Sequence, residues 1–437
     1  MIKIKKDYNM KKIKLSLITV PLLVSSMMVS LNAEDTQEGF NIFDGVKVKG
    51  EIRPRWENAD VKDNDIKAGN AYTVRTTLGI NAELFNVDGL STYIEGTSVN
   101  NFGANDYSTF GYSNPNYDTI LDSNQARITQ AYIDYKLAKT TLRGGRQLVN
   151  LDDQRFVGSV GWRQMFQTFD AVSVISQDVQ DLTLLGSYIY NVNGIAPLDP
   201  QAKFSNTNSV ILNAKYSKKF INVTGFGYLL ADVHDTYGVK VDGVVALGDN
   251  ASVNYNGSYA IQKDATLDQD GNDNQKISAN YYNAEIGANA YGFLIGADYE
   301  VLGEGSDDST DGFSTPLATL HKFQGFADVF VGRTKGTGGN KDGLVDMNAK
   351  VGYKNATYGK FVATYHKFDS VNEGTTIGGE KATDLGSEID FVYTAKIKPV
   401  NGLSVLLKGA MYTAADDSMS GYDKDKQVGW VQLDYKF

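Results

Sequence analysis

From Val46 onward the apolar residues of this chain fall on alternate positions, and a period of two leaves few folds open. Val46, Val48, Ile52 and Trp56 share one side of the first run, while Lys47, Lys49, Glu51, Arg53 and Arg55 share the other. Residues 72–84 set Tyr72, Val74, Leu78, Ile80, Ala82 and Leu84 against Arg75, Thr77, Asn81 and Glu83. Residues 251–262 repeat the pattern, with Ala251, Val253, Tyr255, Tyr259 and Ile261 opposite Ser252, Asn254, Asn256, Ser258 and Gln262. Successive side chains of a strand point to opposite faces, so this spacing predicts strands with one apolar and one polar face. The runs exceed the roughly 5–6 residues of an ordinary soluble strand and suit a strand of about 9–11 residues tilted across a bilayer.

Such runs recur at 46–57, 71–86, 89–100, 125–137, 140–149, 166–177, 181–192, 209–217, 220–232, 236–248, 250–262, 277–289, 291–302, 343–354, 357–369, 384–397, 402–414 and 426–437. Every second gap is tight, as at Val87-Asp88, Ala138-Lys139, Lys218-Lys219 and Asn355-Ala356, whereas 101–124, 150–165, 193–208, 263–276 and 303–342 are long. Short turns at one end and long loops at the other are the pattern of a bacterial outer-membrane barrel. The expected fold is therefore all-β: a transmembrane antiparallel β-barrel of about eighteen strands, sixteen being the alternative, with short periplasmic turns and long extracellular loops. A secreted β-helix or β-sandwich is the competing class, and neither produces this alternation of gaps. In lipid every backbone N–H and C=O must be paired, and only a closed sheet leaves no edge.

The rest of the chain agrees. Residues 1–33 carry six lysines and Asp7, then the apolar run Leu15–Val29, and end at Ala33, which reads as a secretory signal peptide cleaved near that residue. Residues 34–437 then form one domain. Removal of residues 1–33 takes away +5 (six lysines less one aspartate), so the formal charge moves from −10 to −15. With no cysteine there is no disulfide or thiol chemistry. Mean hydropathy is −0.30, and no later apolar run reaches membrane-helix length. The chain closes on Val431, Leu433, Tyr435 and Phe437 alternating with Trp430, Gln432, Asp434 and Lys436. A terminal aromatic on an amphipathic strand resembles the insertion signal read by the outer-membrane assembly machinery, which makes that machinery an expected partner, together with lipid and lipopolysaccharide.

Inside such a barrel, inward charges become candidate pore residues. Eight of the nine arginines lie within the first 163 residues: Arg53, Arg55, Arg75, Arg127, Arg143, Arg146, Arg155 and Arg163. Guanidinium is a permanent cation with a planar fork of donors suited to carboxylate and phosphate. Rows of charge across a lumen select solutes by sign, or else pair with one another and stiffen the wall. Residues 150–165 combine Asp152, Asp153 and Arg155 with Gly158, Gly161, Trp162 and Arg163, an odd mixture for a loop that meets only water. This loop is expected to fold inward and narrow the lumen, with Asp153 and Asp170 orienting the arginines. Arg143 and Arg146 have opposite parity, so both face inward only if Gly144-Gly145 supplies a bulge. Arg127 shares the parity of Ala131, Ile133 and Tyr135, which look lipid-facing; a rim position or a shifted register would explain it.

Gly-Arg146-Gln, Asp153-Gln-Arg155-Phe-Val-Gly158, Gly161-Trp-Arg163-Gln and Gln167-Thr-Phe-Asp170 together resemble the signature of the alginate export family of outer-membrane barrels. Thr319–Asp328, Gly343–Asp346 and Leu385–Asp390 are similar to that family as well. The resemblance implies an eighteen-stranded barrel whose electropositive, arginine-rich constriction passes an anionic uronate polysaccharide. It carries over to Arg146, Arg155, Arg163, Asp153 and Asp170; strand parity, not the motif, places Arg53, Arg55 and Arg75. The many lysines and acidic mature charge depart from the alginate case and leave the substrate open.

The expected function is a passive porin-like channel favouring anionic, carboxylate-bearing solutes or a polysaccharide such as alginate. The alternatives are a non-selective porin for small nutrients, or a structural or adhesive surface barrel whose lumen is plugged, for which the loop 303–342 is large enough. An enzyme is not expected: His234, His321 and His366 are far apart, and no Gly-x-Ser-x-Gly or His-Glu-x-x-His motif occurs. Asp268, Asp270 and Asp273 with Gly271 loosely resemble a calcium loop, but the twelfth position holds Ala279. Solvated loops are the plainer reading; a loop-bound calcium bridging lipopolysaccharide would be a minor role, and no other cofactor is indicated. Nothing suggests nucleic acid as a partner.

Overall fold

The computed structural model describes residues 42–437 except 64, 110–112, 197–204, 268–275, 307–308, 310, 332–340 and 420. The segment read as a signal peptide, and Asp268, Asp270 and Asp273, lie outside the described residues. Eighteen strands form one sheet: β1 (Phe43–Val61), β2 (Gly69–Leu84), β3 (Leu90–Asn100), β4 (Gln125–Leu137), β5 (Thr140–Gln147), β6 (Thr168–Ser176), β7 (Leu182–Asn193), β8 (Ser205–Lys218), β9 (Ile221–Leu230), β10 (His234–Ala246), β11 (Ala251–Lys263), β12 (Ser278–Ala290), β13 (Phe293–Leu302), β14 (Leu344–Asn355), β15 (Gly359–Thr375), β16 (Lys381–Lys396), β17 (Leu403–Thr413) and β18 (Lys426–Lys436). Each pairs antiparallel with its neighbours in sequence, and β1 pairs with both β2 and β18, so the sheet closes. The eighteen-strand reading holds, and the sixteen-strand alternative falls.

The closing seam explains the terminal aromatic. Gly50 and Phe437 exchange backbone hydrogen bonds of 2.9 and 3.1 Å. The Phe437 ring lies over Gly50 so closely that a Cβ there would stand 2.2 Å from it. Only glycine lets the last side chain cover the first strand.

Burial follows parity. Ile133, Val172, Leu212, Ile286, Ile295 and Val351 point away from the lumen with 48–62% of their surface open, an apolar band suited to lipid. Phe85, Phe220, Tyr291, Phe293 and Tyr358 ring the short-turn end and are likewise exposed, where aromatic side chains suit a membrane–water boundary. The opposite faces bury Glu51, Arg53, Arg55, Glu57, Arg75 and Glu300. A barrel wall of this size cannot fill its own interior; two loops do so. Residues 148–167, between β5 and β6, and 303–343, between β13 and β14, pack Val157, Leu317, Leu320 and Phe330 against inward residues such as Phe368, Tyr412 and Trp430.

Two irregularities set which side chains face inward. Between β3 and β4 the register shifts at Glu95/Gly96, leaving Thr129 as an extra residue. A bulge of this kind reverses parity along the strand. Below it Tyr132 and Asp134 face inward; above it Arg127 stands opposite the buried Thr97, on the lumen side. The shifted register is thus the alternative that holds for Arg127. The second shift, at Asp170/Ala171, leaves Tyr190 as the extra residue of β7. Gly144-Gly145 makes no bulge: β5 runs in continuous register with β4 and β6.

Candidate functional site

The loop 148–167 enters the lumen and is held there by its backbone. Arg53 Nη1 donates to the Gly161 carbonyl at 2.9 Å, Arg55 Nη2 to Trp162 at 2.5 Å, and Arg75 Nη1 to Arg163 at 3.1 Å. Three guanidiniums on β1 and β2 therefore grip three successive carbonyls. Their planes also stack: Arg55 lies 4.3 Å from the Trp162 ring and Arg75 4.4 Å from Phe166, contacts that Lys could not reproduce together with the forked donation.

Every one of these cations is also matched by carboxylate. Glu51 accepts from Arg53 at 2.9 Å and from Arg75 at 2.6 Å, and Asp434 accepts from Arg53 at 3.1 Å. Asp122 stands 3.4 Å from Arg55, which also donates to Gln432. Arg163 bridges Glu57 at 2.8 Å and Asp328 at 2.9 Å. Arg155, on the far side of the loop, donates to Glu300 at 2.6 Å and to Thr315 at 3.1 Å. Buried charges persist when each is paired and hydrogen-bonded. The geometry makes these arginines the clamp of an inward loop.

The second loop interlocks with the first. Val157 and Leu317 form an isolated parallel bridge. Gly158 N donates to Leu317 O at 2.9 Å, and Gln167 Nε2 donates to both Gly158 O and Leu317 O. The His321 ring stacks on Trp162 at 4.4 Å with planes 6° apart. His321 Nδ1 lies 2.8 Å from Asp328 and Nε2 lies 2.7 Å from Lys408 Nζ. The Asp328 carboxylate can only accept, so Nδ1 carries the proton, and the neutral imidazole leaves Nε2 to accept from Lys408. Burial pushes its pKa down to about 3, which agrees. Burial would raise the Asp328 carboxyl, but His321 and Arg163 overcome it and hold it well below the usual carboxylate range. Phe326 N and Ala327 N then donate to Asp390 and Glu388 on β16, tying the second loop to the wall.

Other expected site residues lie elsewhere. Arg143 faces inward, makes a forked pair with Asp134 at 2.7 Å and stacks 3.8 Å from Tyr132. Arg127 Nη2 donates to the carbonyls of Phe166 and Gly194. Arg146 and Asp170 are corrected: they pair in register on the outer face of the wall, with hydrogen bonds of 2.6 and 2.8 Å, beside Asn191, Asn193 and the exposed Tyr190. Their parity, opposite to inward Gln147 and Ala171, puts them there. Asp153 is corrected as well. It orients the Arg155 backbone N–H, at 3.1 Å, but its side chain pairs with Lys240 at 2.5 Å. Lys240 overcomes burial and holds the Asp153 carboxyl below its ordinary range.

Sequence reasoning singled out Asp152 and Asp153 but missed the lysines and other carboxylates around the open space. One cavity, of about 630 Å³, lies by the short-turn end and is lined by Lys215, Lys218, Lys219, Lys240 and Lys322 with Asp152, Asp153, Asp242 and Glu285. A second, of about 230 Å³, runs under the turn Leu320–Lys322 and carries Asp298, Glu300, Asp346, Lys350 and His366. Several of them lie in turns and loops, where alternation is silent, and nothing in the sequence said that the loops leave this side of the barrel open.

The fold is that of known outer-membrane channels. Acinetobacter baumannii OccAB2 superposes with a TM-score of 0.69 at 14% identity, covering 92% of this chain and 99% of that one. Pseudomonas aeruginosa OccK9 (OpdG) gives 0.68 at 17% identity, covering 92% and 100%. P. aeruginosa OpdK, solved with vanillate, gives 0.64 at 12% identity, covering 91% and 100%. No curated protein matches the sequence. Residues 97–424 match the model described as Alginate export, so this eighteen-stranded outer-membrane barrel belongs to the alginate export family.

Proposed function

We propose that the chain is a passive channel for small solutes that carry carboxylates, narrowed by the arginine-clamped loop. The observation that carries this reading is the vestibule, where five lysines face four carboxylates. Lysine is a mobile point charge, able to attract an anion and release it, and conduction needs both. The arginines have the other part: their fixed forks hold the loop that makes the passage narrow. The larger cavity, of about 630 Å³, falls in the range of small-molecule sites, about 300–1,000 Å³, and the smaller, of about 230 Å³, lies just below it. The vanillate found with OpdK is a solute of this class. Flux follows the concentration gradient.

The family description favours a second reading, passage of a uronate polysaccharide. A polymer has to thread past both loops, whereas a monomer has only to fit the cavities. Reversal potentials of the purified protein in a salt gradient test the first reading. Anion preference that weakens in Lys240→Gln supports it. Cation preference unaltered by Lys240→Gln or Arg163→Ala rejects it. Swelling of proteoliposomes in uronate oligomers of increasing length separates the two readings, since only the polymer route admits long chains. Absence of conductance in folded protein would point instead to a plugged structural or adhesive barrel.

A further inference from the structure

Four residues line both lumen cavities: Asp153, Asn256, Glu285 and Lys322. A group shared by two cavities marks their junction, the place a solute must cross to pass from one to the other. This junction lies against β11 and β12, away from the arginine clamp on β1 and β2.

The charges there do not cancel. Asp153 pairs with Lys240 at 2.5 Å, and Glu285 pairs with Lys350. Lys322 sits between these two neutral pairs, on the tip of the inward turn, and its side chain is exposed. Its ammonium donates to the Asp153 backbone carbonyl at 2.8 Å. Among the described residues no carboxylate stands within ion-pair distance of it. The lumen walls desolvate it in part although it is open to the passage, and with Lys240 and Lys350 they hold its pKa below the ordinary lysine value, against Asp153 and Glu285. The ammonium also lies 5.5 Å from the Phe323 ring; one backbone acceptor leaves two of its three donors without a hydrogen-bond acceptor among the described residues.

We infer that Lys322 is the anion-binding station of the passage, the ammonium that takes the carboxylate of a solute as it crosses between the two cavities. The inference rests on the channel reading above and names the residue that confers its selectivity. A single cation flanked by neutral pairs binds a carboxylate without trapping it, because the partner it exchanges for the carboxylate is water and not a buried charge. Glu285 and Asp153 tune it: each holds one neighbouring lysine neutral in effect, so removing either acid adds a second cation to the junction.

The test uses the full-length barrel in planar bilayers with benzoate and galacturonate as blockers of the chloride current. Lys322→Gln is expected to weaken benzoate block about three- to tenfold, and Lys322→Glu to shift the reversal potential toward cations, both with folded, heat-modifiable barrels. Glu285→Gln, in the wall and not in the loop, is expected to move block and selectivity the opposite way. Unchanged block and reversal potential in both Lys322 variants, or a Glu285→Gln shift toward cations, overturns the inference while leaving the channel reading standing. A wild-type barrel that conducts no ions overturns the channel reading itself.

Discussion

Arg163 offers the sharpest test of the clamp. Its guanidinium lies in the inward loop and joins Glu57 on β1 to Asp328 on the second loop, at 2.8 and 2.9 Å, with side chains between 3 and 13% exposed. Substitution by Met keeps the bulk and removes the charge. Breaking a buried pair costs about 3–5 kcal/mol because the remaining partner is left uncompensated. Here Glu57 keeps Arg55 at 3.8 Å and Asp328 keeps His321 at 2.8 Å, so about 2–3 kcal/mol is the reasonable share. At 1.4 kcal/mol per tenfold, the population with the loop released rises about 30- to 140-fold. Single-channel recording would register this as bursts of higher conductance absent from the wild type, with Arg163→Lys intermediate. A conductance histogram for Arg163→Met that matches the wild type would refute the clamp.

Three further outcomes follow from the same contacts. Arg146→Ala should leave ion selectivity unchanged, because the side chain faces outward, yet lower barrel stability by about 1–2 kcal/mol through the lost fork to Asp170; thermal unfolding followed on cold gels, with reversal potentials alongside, checks both halves. Gly325 has φ +79° and a Cβ there would stand 2.5 Å from Glu388, so Gly325→Ala should loosen the second loop by about 1–3 kcal/mol, read as faster amide exchange at Phe326 and Ala327. His321 has its folded pKa lowered from 6.5 to about 3 by burial. A depressed folded value means the docked loop is favoured fully above pH 6.5 and loses that contribution as pH falls from 6.5 toward 3. Protease protection of the loops should stay constant from pH 8 to 6.5 and decline below it; protection that rises on acidification contradicts the assignment.

Most of the wall was legible because a barrel writes its lipid face into every second residue. All eighteen strands lie where the alternation puts them, and the main differences are extensions, as where β15 runs on to Thr375 and β8 begins at Ser205. The site was less legible, for two physical reasons. A bulge adds one residue without changing composition, so Thr129 silently turned Arg127 inward. For Arg146 and Asp170, the family motif suggested the lumen while their own parity, opposite to Gln147 and Ala171, put them outside. Long-range pairing is also invisible in a single sequence: the Trp162–His321 stack joins residues on two loops, and the lysines of the vestibule are spread over β8, β10 and the turn at Lys322. Clustering drew attention to the arginines, which form the clamp. The cation at the cavity junction is one lysine among 33, and only the fold distinguishes it.

The most direct test of an inward loop narrowing the lumen is removal of residues 152–162, which carry Arg155 and the Gly161–Trp162 carbonyls that Arg53 and Arg55 hold. Single-channel conductance of the folded deletion variant should rise well above that of the wild type, with weaker discrimination between anions and cations. Wild-type conductance and selectivity in that variant would contradict the account.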